Sequence, residues 1–99
     1  MEDAARRIGP PLAHVLETEI GGEISLYNPH NESVLVLNVT ASDVWRLSDG
    51  EHTLDEMVEL LATAYRVRPE DIHSEVERTV EEIIDKGFLP SDLLGDVSS

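Results

Sequence analysis

Ninety-nine residues, 40% of them hydrophobic, suffice for one globular domain that buries about two thirds of its unfolded surface around a single core. Against 7 Lys and Arg stand 21 Asp and Glu, a formal charge of -14 that repels phosphate backbones and anionic headgroups and argues against nucleic-acid and membrane partners. With no cysteine there is no disulfide framework, no thiolate nucleophile and no thiolate metal site.

Residues 1–11 (MEDAARRIGPP) carry charges of both signs and no apolar run long enough for a signal peptide or a membrane span. They read as a flexible lead-in, with the cytoplasm as the expected location. After the Pro10-Pro11 breaker, Leu12 to Ile20 reads as a strand with Leu16, Thr18 and Ile20 on one face and Val15, Glu17 and Glu19 on the other. Gly21-Gly22 signals a hairpin turn. Glu23 to Tyr27 alternates Ile24 and Leu26 with Ser25 and Tyr27, the pattern of a half-buried strand. Asn28-Pro29-His30-Asn31 makes the next turn.

The third strand, Ser33 to Leu37, differs from the others, because Val34, Leu35, Val36 and Leu37 are apolar on both faces. An antiparallel strand with one wet face alternates; this one calls for cover on both. In a three-strand meander it is also an edge, and an edge strand offers its unpaired backbone groups as a template for one more strand.

Helices fill the rest of the domain, which spans 12–89. Thr40-Ala41-Ser42-Asp43 has capping-box form and opens a helix carrying Val44, Trp45 and Leu47 to a stop at Asp49-Gly50. Trp45 is expected in the core. Thr53 to Glu56 is a second capping box, ahead of Leu54, Met57, Val58, Leu60, Leu61 and Tyr65 at helical spacing. Pro69 suits the first position of a third helix, with Glu70 and Asp71 beside its positive end. Ile72, Val76, Val80, Ile83 and Ile84 form its apolar stripe, closed by Lys86-Gly87, with Phe88 placed to fold back as after a Schellman cap. Residues 90–99 read as a loose polar tail. Three strands followed by three helices predict an α+β fold resembling a winged helix-turn-helix.

The functions such a fold suggests can be tested against the residues. A DNA reader needs Arg, Lys, Asn or Gln on its recognition helix, but the third helix sets seven carboxylates against Arg78 and Lys86. Two short segments near serine, Thr40 to Asp43 and Ser91 to Leu93, lack the Asp-Ser-Leu order of an acyl carrier. His14, His30, His52 and His73 fall in four separate segments, which predicts exposed side chains and no metal or cofactor site. No Gly-x-Ser-x-Gly elbow is present. No enzymatic activity is expected.

Leu37-Asn38, Ala41, Val44-Trp45, Leu47, Asp49-Gly50, Thr53, Met57, Leu60 and the closing Lys86-Gly87-Phe88-Leu89 resemble the PqqD-like family, the RiPP recognition elements, over about Ile24 to Leu89. The resemblance implies a fold of three strands and three helices that does no chemistry and binds the leader segment of a ribosomally made precursor peptide. A short stand-alone chain looks most like the recognition protein of lasso peptide systems, whose partners are a cysteine protease that removes the leader and then a cyclase. A PqqD-type peptide chaperone for a radical enzyme is the nearest rival, and a winged-helix regulator of transcription a more distant one. In the family the leader lies beside the third strand and in the groove which that strand makes with the third helix. Carried onto this sequence, the peptide-binding residues are Ser33, Val34, Leu35, Val36 and Leu37 with Glu75, Val76, Thr79, Val80 and Ile83. The wheel of the third helix leaves two flanks open as the groove wall: Glu75, Thr79 and Glu82, or His73, Glu77 and Ile84. The first is preferred, because it sets apolar contact beside polar groups. For each stripe residue the core remains the competing place.

Overall fold

The computed structural model describes residues 7–90. Its strands are β1 (Arg7–Ile8), β2 (Leu16–Ile20), β3 (Glu23–Asn28), β4 (Ser33–Leu37) and β5 (His52–Thr53); its helices are α1 (Val39–Leu47), α2 (Leu54–Tyr65) and α3 (Pro69–Asp85). The architecture is α+β, a three-stranded antiparallel meander in the order β2-β3-β4 followed by the helices, with β1 and β5 forming a separate two-stranded ribbon.

Register decides which side of the sheet faces the core. Leu16 pairs with Tyr27 and Tyr27 with Val34; Glu17 pairs with Leu26 and Leu26 with Leu35. Cross-strand partners share a face, so the buried Ile24, Leu26 and Leu37 put Glu17 and Glu19 on the core side as well. Both carboxylates find partners there: Glu17 accepts from the indole Nε1 of Trp45 at 2.9 Å, and Glu19 pairs with Arg46 at 2.7 Å. Leu16, Ile20, Tyr27, Val34 and Val36 are consequently left facing solvent.

The strand expected over Leu12 to Ile20 is shorter, beginning at Leu16. The amide of Val15 turns back to the carbonyl of Leu12, and the amide of Leu12 donates to the carbonyl of Phe88, so the first four residues are spent on a turn docked at the far end of the chain.

A further departure lies before it. The lead-in read as flexible over 1–11 is, from Arg7 on, part of the fold: Arg7 pairs with Thr53 and Ile8 with His52, and Ile8 is 1% exposed. The carbonyl of Ile8 accepts from the amide of Gly50 at 2.7 Å. Gly9, at φ +94, lies so close to the α1–β5 turn that a Cβ there would stand 2.2 Å from the carbonyl oxygen of Ser48. Burial of the Ile8 side chain acts together with the β1–β5 pairing and the Gly50 bond to offset the ordering of these residues. The expectations for 1–6 and for 91–99 fall outside the described residues.

The helix boundaries follow local chemistry. α1 is capped by Asn38, whose side chain accepts from the amide of Ala41, so the cap lies two residues ahead of the expected Thr40. Asn is a stronger N-cap than Thr, and Asn38 sits where the extended strand turns into the helix. Within α1, Ser42 is fully buried and ties the layers together: its Oγ accepts from the amide of Ile24 on β3 and donates to the carbonyl of Leu37 on β4. Trp45 is in the core, as the sequence indicates. The Thr53–Glu56 capping box of α2 is complete in both directions. Pro69 opens α3. Its end is a Schellman motif, with the amide of Gly87 donating to Ile84, that of Phe88 donating to Ile83, and Gly87 at φ +91. Phe88 then folds into the core.

Candidate functional site

β4 is the open margin of the meander, since β3 pairs with it on one side and no described strand on the other. Its side chains alternate. Val34 and Val36 are 60% and 64% exposed on the outer face, whereas Leu35 is half-buried against the core and Leu37 closes it at 3%. Ser33, half-buried, begins the strand. The two-faced apolar character of this strand thus divides into an inner half that serves the core and an outer half that nothing in the described chain covers.

α3 is fixed relative to this margin at both ends. At its C-terminus the side-chain amides of Asn28 and Asn31 donate to the carbonyls of Gly87 and Lys86, at 2.7 and 3.4 Å. The helix end is thereby bound to the β3–β4 turn. Asn28 is 3% exposed, and its Oδ1 also accepts from the amide of His30. α3 also packs on α1 and α2.

The packing separates the two flanks of α3. His73 approaches Asp55 of α2, Nε2 to Oδ1 at 3.9 Å, and Glu77 of its own helix at 3.8 Å, so the His73 and Glu77 flank is turned to α2. Glu75 lies on the opposite flank, and Tyr65, the last residue of α2, donates its hydroxyl to Asp43 of α1. Burial, then the Asp43 carboxylate, push the Tyr65 phenol up to about 12, and the negative charge of Glu75 adds to the shift. Thr79, half-buried, stands one turn on and donates its hydroxyl to the carbonyl of Glu75 at 2.8 Å.

Of the ten residues carried over from the sequence, Ser33 to Leu37 form one continuous margin, and Glu75 and Thr79 share one exposed-to-half-buried flank. Val76, Val80 and Ile83 are at most 1% exposed. They belong to the core and present no surface to a ligand; the centre of an amphipathic stripe is the part that neighbouring helices cover first. Two residues important to the site's geometry, Asn28 and Ser42, escape the sequence reading. A buried Asn at the last position of a strand, just before a Pro, is the signal that marks the first; nothing local marks the second.

Among the described residues no three His, Asp or Glu side chains stand together as a metal site, and no helix is long and apolar enough to cross a membrane.

The family model described as Coenzyme PQQ synthesis protein D (PqqD) matches residues 23–89, and the chain belongs to that family. Comparison with curated protein sequences finds no match. Among solved structures, the chain is similar to one described as "TbiB1 in Complex with the TbiA(beta) Leader Peptide", with a TM-score of 0.75 and 17% identity over 91% of this chain and 100% of that one. Identity this low carries the fold, and the fold agrees: three antiparallel strands, then three helices.

Proposed function

We propose that this protein is a non-catalytic binding protein that captures the leader segment of a ribosomally synthesised precursor peptide by strand addition and presents it to a partner enzyme. The observation that carries this reading is the open margin of β4, one of the two edges of the sheet and apolar along its length from Val34 to Leu37. Membership of the PqqD family and the likeness to TbiB1, whose solved structure holds a leader peptide, support it.

In this reading the leader pairs its backbone with Ser33 to Leu37. Side chains on one face of the guest strand pack beside Val34 and Val36, and those on the other face meet Leu35 and the Glu75–Thr79 flank of α3. Backbone bonds supply grip and side-chain contacts supply choice. Micromolar to nanomolar binding is about -8 to -12 kcal/mol, and ordering a disordered leader costs roughly 2–5 kcal/mol. Each well-buried apolar side chain returns about 1.5–3 kcal/mol, so two or three anchors are needed in addition to the backbone bonds.

The partner enzyme is a cysteine-protease leader peptidase, with a cyclase acting afterwards, in a lasso peptide pathway. The family description itself favours a second reading, a PqqD-type chaperone for a radical enzyme. The genes beside this one separate the two: a short precursor with a protease and a cyclase, or a radical enzyme. DNA binding is disfavoured by the carboxylates along α3.

Val36→Pro tests the strand-addition step. Proline removes a ladder donor and fits poorly in a paired strand, and the exposed Val36 side chain leaves no core cavity when replaced. Calorimetry with the leader segment is expected to show binding abolished while circular dichroism stays unchanged. Undiminished affinity in a folded variant rules strand addition out.

A further inference from the structure

Away from β4, the exposed side of α2 carries two adjoining hollows that share Leu60. One, about 500 Å3, lies among Glu51, His52, Asp55, Glu56 and Glu59. The other, about 340 Å3, lies between α1 and α2, floored by Leu47, Leu61 and Ala64 and edged by Asp43 and Arg46. Leu60, 47% exposed, is the ridge between them. The floor is aliphatic and the rim anionic. The rim's Arg46 is already committed, pairing with Glu19 at 2.7 Å and Asp43 at 2.9 Å, and the His52 ring bonds Asp49 at 3.0 Å.

We infer that this double hollow on α2 is a docking surface for a folded partner protein that presents an aliphatic or aromatic anchor flanked by Lys or Arg. The charge points to that occupant. A neutral apolar partner would bury Glu51 and Glu59 without counter-charges, at a desolvation cost that attraction does not offset. A cationic rim satisfies them and speeds encounter with a chain of formal charge -14. The place of α2 in the fold gives the surface its use. α2 packs on α3, α1 and β5, and no residue lining either hollow belongs to β4, so a peptide on β4 and a protein on α2 do not compete for the same side chains. A binding protein that hands its guest to an enzyme requires two such independent surfaces. The inference itself stands on α2 alone, whatever occupies β4.

The test uses the full chain with a 13C-methyl label and a 12-residue amphipathic Lys/Leu peptide as probe, against a Glu/Leu peptide of the same pattern. Saturable shifts are expected at the methyls of Leu47, Leu60, Leu61 and Ala64 with the Lys/Leu peptide only. Leu60→Asp and, separately, Glu59→Lys are each expected to weaken binding about tenfold, while Val36→Asp on the sheet leaves it unchanged. The proposal is overturned by shifts spread over the whole acidic surface, by binding that survives Leu60→Asp, or by binding lost with Val36→Asp. Because Leu60 and Glu59 are exposed, both variants fold, and their thermal midpoints confirm it.

Discussion

The side-chain amide of Asn28, at the end of β3, donates to the carbonyl of Gly87, just past the end of α3, across 2.7 Å. The end of α3 is thereby held against the β3–β4 turn, and the spacing between α3 and β4 is fixed at one end by a buried amide. Asn28→Ala leaves the Gly87 carbonyl and the His30 amide without these partners. The expected loss is about 1–3 kcal/mol, read as a lowered urea midpoint, together with weaker leader binding. An unchanged midpoint means the bond contributes nothing to the groove.

Gly9 and Ser48 form a second close approach. A Cβ at Gly9 would meet backbone atoms of Ser48 and Gly50 inside 3.0 Å, at a φ of +94 that L residues rarely adopt. Gly9→Ala therefore adds backbone strain of about 1–3 kcal/mol to a steric conflict and is expected to release β1 from β5. Ile8→Ala, which empties a core position, is expected to cost about 2–5 kcal/mol. Urea unfolding of both variants checks the pair. If neither moves the midpoint, the N-terminal strand does not dock.

Tyr65 gives the fold an alkaline limit. Its phenol is raised from 10.0 to about 12 by burial and by the hydrogen bond to Asp43, so between these values the folded chain holds a proton that the unfolded chain has lost. Stability from this group is full below pH 10 and falls as pH rises toward 12. Urea midpoints measured from pH 9 to 12.5 are expected to decline across that window. Tyr65→Phe, which has no proton to lose, is expected to flatten this part of the profile; an equally steep decline in the variant assigns the effect to other groups.

Much of the fold was legible because its punctuation is local. Lys86-Gly87-Phe88 announces a Schellman end, since only glycine takes a φ of +91 cheaply and Phe88 needs a core to enter. Thr53 and Glu56 announce a capping box at fixed spacing. Asn38 and Thr40 are both competent caps two residues apart, and the point where β4 stops being extended chooses between them. Arg7–Ile8 is too short for any periodicity, so its pairing with β5 is a tertiary fact. For the site, the two-sided apolar run of β4 showed in the sequence, whereas the orientation of α3 did not. A helical wheel is symmetric about its stripe, and only a tertiary contact such as that of His73 with Asp55 sets one flank beside α2. The same packing withdraws Val76, Val80 and Ile83 from any ligand.

Backbone amide exchange at Ser33–Leu37, followed residue by residue with and without a candidate precursor leader peptide, tests the proposed strand addition most directly. Outward-facing amides of an edge strand exchange with water until a partner strand takes them up. Saturating leader is expected to slow exchange at alternating residues of β4 and leave β2, the opposite margin, unchanged. Leader binding that protects other segments while β4 exchanges as before contradicts strand addition at this edge.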